Sequence, residues 1–216
     1  MIITRSKDPE AISRALARHR KVALVGCGLC AATCETGGEK EVRQVAVELE
    51  AAGKSIQAEL MVDGVCHKRL LELLSRKEKE SLAGAEAILI LACGSGVQTA
   101  GEVFEQPVFA GVDTLFLGQI RKHGDFREVC SLCGDCILGE ETSICPITRC
   151  PKGLVNGPCG GAEKGACEVD HENACAWIEI FEERDRKGSL DCLKEIRRPR
   201  DHSRHTQPGH VKTSRR

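Results

Sequence analysis

Fourteen cysteines in 216 residues, nine of them falling between Cys130 and Cys192, constrain this chain more than any other feature. They are grouped as ligands are grouped. Cys27, Cys30 and Cys34 form a Cys-x-x-Cys-x-x-x-Cys run, and Cys130, Cys133 and Cys136 form a Cys-x-x-Cys-x-x-Cys run. Cys145-Pro146 and Cys150-Pro151 follow. Such density means a disulfide framework or metal ligation. The first ten residues hold no apolar stretch and no small-residue cleavage site, so a secretory leader is not expected. A cytoplasmic setting keeps thiols reduced, and the pattern then reads as metal binding.

Hydrophobic residues make up 41% of the chain, enough for a core, but aromatics are only 3% and tyrosine is absent. The cysteine-rich half must therefore draw folding energy from elsewhere, and metal–thiolate bonds supply it. No run reaches the roughly 18 apolar residues of a membrane span. Charge is uneven: the last twenty residues carry seven Lys/Arg against one acid, which leaves the body of the chain net acidic. That body offers no basic stripe for nucleic acid. Residues 197–216 are expected to be a basic, solvated, disordered tail.

Strand and helix signals alternate through residues 1–125. An opening helix is expected over 9–19, with Asp8 as N-cap and Pro9 at the first position. Apolar runs at 21–26, 56–61 and 87–92 read as buried strands, with shorter ones at 107–110 and 114–117. Val42, Val45, Ala46 and Leu49, stopped by Gly53, mark one intervening helix. Leu70, Leu71, Leu73 and Leu74 mark another, and residues 94–102 a third. The fold class is α/β: a mostly parallel three-layer α/β domain, followed by a small irregular cysteine-rich metal-binding domain over 126–196. In that second part apolar periodicity returns only over 173–186, as a helix, with a last short helix over 190–196.

Cys27 follows the first parallel strand and Cys93 follows the strand at 87–92, which puts both at the carboxyl edge, where α/β folds place their sites. Cys27, Cys30, Cys34 and Cys93 supply the four thiolates of a 4Fe–4S cluster. Gly26, Gly28 and Gly94 allow close backbone approach, with their N–H groups available to cluster sulfurs. Cys66, after the second strand, substitutes for Cys93 if the strand order differs. The plainer reading is small residues filling a tight turn. Gly94-Ser95-Gly96 lacks both the third glycine of a dinucleotide fingerprint and a Walker lysine, so no nucleotide site is expected.

Cys130, Cys133, Cys136 and Cys145 make a second group with ferredoxin-like spacing at its start. Cys150, Cys159, Cys167 and Cys175 follow as four more. Two clusters, one cluster with one zinc, or two zincs all satisfy eight thiolates, because tetrahedral sulfur ligation serves both metals. The Gly-Pro-Cys and Cys-Pro loop settings, rather than zinc knuckles, favour iron–sulfur. Cys192 reads as an inert core thiol. His67, His123 and His171 read as surface or capping residues, with His171 the best histidine for a mixed site. A dithiol oxidoreductase at Cys130 and Cys133 lacks the preceding strand such a site requires.

Residues 145–161 (CPITRCPKGLVNGPCGG), with Gly165-Ala166-Cys167 and Asn173-Ala174-Cys175-Ala176-Trp177 downstream, resemble the methylenetetrahydrofolate reductase C-terminal cysteine domain. That domain occurs in the MetV family, the small subunits that accompany MetF-type reductases. Residues 26–34 (GCGLCAATC), 37–42 (GGEKEV) and 91–98 (LACGSGVQ) resemble the same family, and the likeness covers about residues 20–190. It implies a non-catalytic subunit that carries electrons through iron–sulfur clusters, two or three 4Fe–4S centres with zinc open as a replacement for one in the second domain. It also implies a MetF-type partner bearing FMN and folate, and further partners that resemble heterodisulfide reductase or NADH-oxidising flavoprotein subunits. The alternative is a zinc-stapled structural adaptor joining the reductase to other redox subunits.

Overall fold

The computed structural model describes residues 1–139, 142–204 and 208–212, so part of the expected tail (205–207 and 213–216) lies outside the described residues. The chain divides into two units, Met1–Phe126 and Arg127–Arg216.

The first unit begins with strand β1 (Ile2–Ser6) and helix α1 (Pro9–Ala15), whose N-cap Asp8 accepts a hydrogen bond from the Glu10 N–H. Then come β2 (Lys21–Cys27), a single turn α2 (Cys30–Thr33), α3 (Glu39–Ala51) and β3 (Ser55–Val62). They are followed by α4 (Lys68–Lys77), α5 (Lys79–Ala83), β4 (Ala87–Leu91), α6 (Gly94–Val103) and β5 (Val108–Ala110). Two more strands, β6 (Val112–Lys122) and β7 (Asp125–Glu128), close the series.

Four strands form a wholly parallel sheet in the order β3-β2-β4-β5. The apolar runs of β2 and β4 are buried because helices cover both faces, as an all-parallel sheet requires. Alternate residues divide between the faces. Val22, Leu24, Leu89 and Leu91 pack with Ile12 and Leu16 near α1 and with Val42, Ala46 and Leu49 of α3. Ala23, Val25, Ile88 and Ile90 pack with Leu71 of α4, Leu82 of α5 and Ala100 of α6. This is the three-layer α/β arrangement that the alternating signals predict.

A separate antiparallel sheet, β1-β6-β7, is the main departure from expectation. The stretch at 114–117 belongs to β6, which pairs with β1 from Ile2↔Leu117 to Ser6↔Val112, and not to the parallel sheet. Its polar, largely exposed side chains (Asp113, Gln119, Arg121, Lys122) suit a half-covered antiparallel strand. Lys7 and Asp113 form an ion pair beside this pairing. β1 is too short and too mixed in polarity to show a period in the sequence.

The second unit has little regular structure: one turn α7 (Pro146–Arg149), helix α8 (Ala176–Arg186) and a 3₁₀ turn at Leu190–Lys194. Among the described residues its buried apolar side chains are few: Pro146, Cys167, Ala176 and Ile180. Residues 197–204, assigned to the tail by sequence, carry specific bonds. Asn156 brackets the backbone of Arg197, at 2.8 Å to its N–H and 3.1 Å to its carbonyl. Arg200 donates to the Cys133 carbonyl at 3.3 Å.

Candidate metal centres

β2, β3 and β4 are adjacent and parallel, so their carboxyl ends open onto one edge. Cys27 ends β2, Cys93 is the N-cap of α6 directly after β4, and Cys66 stands in the turn between β3 and α4. The Cys27 N–H donates to Gly37 O at 2.8 Å, and the Gly28 N–H donates to Val62 O at 2.9 Å. These bonds lay the Cys27–Cys30 loop on the end of β3. The Cys27 thiol lies 3.9 Å from Asp63 O, in the loop that leads to Cys66. Val65 of that loop reaches α6 as well: a Cβ on Gly96 would sit 3.1 Å from the Val65 side chain.

Burial pushes the exposed-edge Cys66 thiol up, and nearby Cys93, Cys27 and Cys30 thiols, which disfavour another negative charge, push it further. Cys34 is placed differently. It caps α2 from its C-terminal side, is buried, and has its thiol 3.9 Å from Ile2 O in β1. Two of the glycine N–H groups expected to face sulfur are already committed: Gly28 to Val62 O, and Gly94 to Thr114 Oγ1 at 2.8 Å.

In the second unit the eight cysteines separate into two fours. Cys130, Cys133, Cys136 and Cys145 line one cavity of about 320 Å³ together with Leu132, Ile147 and Thr148. Left-handed backbone at Leu132 (φ 57°) and Gly134 (φ 75°) winds this loop, and Thr148 Oγ1 accepts from the Ser131 N–H at 3.0 Å. Arg204 pairs with Asp135 at 2.8 Å on the same loop.

Cys150, Cys159, Cys167 and Cys175 line a second cavity of about 20 Å³ with Glu168 and Trp177. The Gly161 N–H, 3.5 Å from Cys159 Sγ, draws that thiol below its usual range, and the Lys152 ammonium adds to this. Cys175 is the N-cap of α8, its N–H donating to Gly165 O at 2.9 Å, and Trp177 Nε1 donates to Leu154 O at 3.0 Å. The two cavities take up the same two fours, either side of the step from Cys145 to Cys150, into which the spacing groups these cysteines. Among the described residues, no three Cys, His, Asp or Glu side chains stand close enough to form a ligand set as placed.

The Cys192 thiol donates to Ser189 O at 2.9 Å. His123 pairs with Glu35 at 3.1 Å, His67 is the N-cap of α4, and His171 is exposed. Two buried charged residues, Glu183 and Arg184, escaped the sequence reading. Glu183 is buried and accepts from Ser143 Oγ at 2.7 Å, Thr142 Oγ1 at 3.0 Å and Lys187 Nζ at 2.7 Å. Burial opposes its ionisation, but Lys187, Ser143 and Thr142 outweigh that and hold its carboxyl at about 2. Its spacing from Ile180, three residues on, was the available signal: it lies on the buried stripe of α8.

Fold and cysteine placement together define a two-unit, cysteine-rich α/β protein. Residues 109–203 match the family model described as methylene-tetrahydrofolate reductase C terminal, which relates the chain to methylene-tetrahydrofolate reductase systems. The match begins at Phe109, so the cysteines of the first unit lie outside it and those of the second lie within it. No curated protein and no solved structure matches the chain. Among the described residues no helix is long and apolar enough to cross a membrane.

Proposed function

We propose that this chain is the MetV-type electron-transfer and scaffolding subunit of a cytoplasmic methylenetetrahydrofolate reductase complex, exchanging electrons with a MetF-type flavoprotein. The observation that carries the redox reading is the position of the first cysteine set. The parallel sheet of the first unit is already covered on both faces by apolar side chains. Cys27 completes one of those apolar layers, but Cys30, Cys66 and Cys93 stand partly buried or exposed beyond the apolar interior and are not needed as a staple; they lie at the carboxyl edge, where α/β proteins put function.

The donor set suits the group. Every side chain concerned is a thiolate source, and four thiolates hold one 4Fe–4S cluster. Such a cluster supplies one-electron transfer at low potential when bound. Cysteines of the first edge hold one centre, and Cys130, Cys133, Cys136 and Cys145 hold another. Arg200 fixes the Cys133 carbonyl and Arg204 fixes Asp135, so two guanidinium groups steady that loop and offset thiolate charge.

The group at Cys150, Cys159, Cys167 and Cys175 is assigned a structural zinc centre, because the second unit buries few apolar side chains around it and four thiolates close a zinc site. In this scheme hydride chemistry belongs to the flavin of the partner, and further partners resembling heterodisulfide reductase or NADH-oxidising flavoprotein subunits supply or accept the electrons.

The test is iron, acid-labile sulfide and zinc per chain in protein purified without oxygen, with an EPR spectrum after dithionite. About eight iron with equal sulfide and about one zinc is the expected result, from four iron per cluster and one ion per closed zinc site. Zinc without sulfide would sink the redox reading and leave a zinc-stapled adaptor between the reductase and its partners.

A further inference from the structure

We infer that the metal centre of the first unit is held by Cys27, Cys30, Cys66 and Cys93, and that Cys34 is a structural thiol outside it. The inference rests on the metal reading above, and replaces the three-from-one-loop ligand set that the Cys27, Cys30 and Cys34 spacing suggests.

Three loops converge at one edge, and each brings cysteine. The first carries Cys27 and Cys30 and is hydrogen-bonded to the end of β3 through the Gly28 N–H and Val62 O at 2.9 Å. The second runs from Asp63 to Cys66. It touches the first loop through the Cys27 thiol at 3.9 Å from Asp63 O, and a Cβ on Gly64 would meet Leu29 at 3.4 Å. The third begins at Cys93. Its helix α6 packs on the second through Gly96 and Val65, so closely that a Cβ on Gly96 would lie 3.1 Å from that side chain. The order β3-β2-β4 makes these three loops neighbours, with the Cys27 loop in the middle.

Cys34 belongs to another neighbourhood. One helical turn separates it from Cys30, and its N–H closes that turn on Cys30 O at 3.0 Å. Its thiol faces the backbone of β1, which is part of the antiparallel sheet and not of the parallel one. The next two residues turn the chain back: Glu35 adopts φ 54°, and Thr36 Oγ1 lies 2.6 Å from Thr4 Oγ1, again on β1. Cys34 is thus packed where Thr36 and β1 seal α2, whereas Cys66 is exposed at the open edge. An exposed thiol at the edge that the Cys27, Cys30 and Cys93 loops share suits a ligand; each such thiol gives up its proton when it binds metal.

Cys66→Ala, Cys93→Ala and Cys34→Ala are compared with the parent in the full chain, each reconstituted without oxygen with ferrous iron and sulfide. Iron, sulfide and the reduced EPR signal are the readouts. Cys66→Ala and Cys93→Ala should each lose about four iron per chain and one EPR component. Cys34→Ala, verified as folded by circular dichroism, should keep both. Loss of that cluster in folded Cys34→Ala with its retention in Cys66→Ala would overturn the inference. A parent chain that takes up no sulfide counts against the redox role alone. The same variants loaded with zinc then decide the ligand set, by which of them bind one ion fewer.

Discussion

Gly37 shows how tightly the cysteine loop is built. Its carbonyl accepts the Cys27 N–H at 2.8 Å, and its own N–H donates to Ala31 O at 3.2 Å. A Cβ there would overlap the Leu91 carbonyl oxygen and come within 2.8 Å of the Ala31 side chain. Neither neighbour is the free end of a flexible chain, since one is backbone in the central sheet. Gly37→Ala is therefore expected to destabilise the first unit by roughly 1–3 kcal/mol or more, the usual cost of forced overpacking. Urea unfolding followed by circular dichroism checks this, and an unmoved midpoint would refute it. The sequence announced Gly37 only as part of a family-like run. What it does follows from the return of the chain past β4, a contact that no local pattern encodes.

Helix α8 is the organising element of the second unit, and its buried acid gives that unit a pH signature. Glu183 is held at about 2, against an ordinary glutamate value near ~4.3 in an unfolded chain. A depressed carboxyl contributes stability that is fully present above the unfolded value and is lost as pH falls through the folded one. Glu183 thus supports the Thr142–Ser143 turn at neutral pH and withdraws that support between about pH 5 and pH 2. Glu183→Gln should cost roughly 1–3 kcal/mol at pH 7, the range for a charge-assisted buried hydrogen bond. The difference between parent and variant should shrink as pH drops toward 2. A gap of equal size at pH 7 and at the acid end would show that the charge is not responsible.

The elements themselves were legible to different degrees. β2 and β4 stood out because apolar runs buried on both faces leave a continuous signal, and α1 because Asp8 and Pro9 mark its start. β1 and the long β6 did not, because a half-exposed antiparallel strand carries a weak period and its partner lies about a hundred residues away in sequence. The cysteines were visible as candidates from spacing alone. Cys66 was read only as a substitute for Cys93 should the strand order differ; that the loops of all three lie side by side depends on the order β3-β2-β4, which spacing does not encode.

Across the whole molecule the two units present opposite relations between core and cysteine. The first has a continuous apolar interior; the second, among the described residues, buries only a handful of apolar side chains around α8. Trp177, the only tryptophan in the chain, lines the cavity of Cys150, Cys159, Cys167 and Cys175, and so serves as a built-in reporter of that site. Stepwise addition of zinc alone to the stripped protein should change Trp177 emission late, after the thiols of the first unit have taken up their share. An emission change at the earliest additions would contradict this.

That ordering follows from the covered sheet described above. A cage mounted on finished scaffolding needs no chain ordering when its guest arrives, while one that must assemble around its guest holds it less firmly by that difference. On the proposed reading, when metal is scarce the chain would be neither fully loaded nor empty: the site of the first unit would be filled while that of the second still awaits its keystone. Supply of metal, more than supply of polypeptide, would set how many copies are complete.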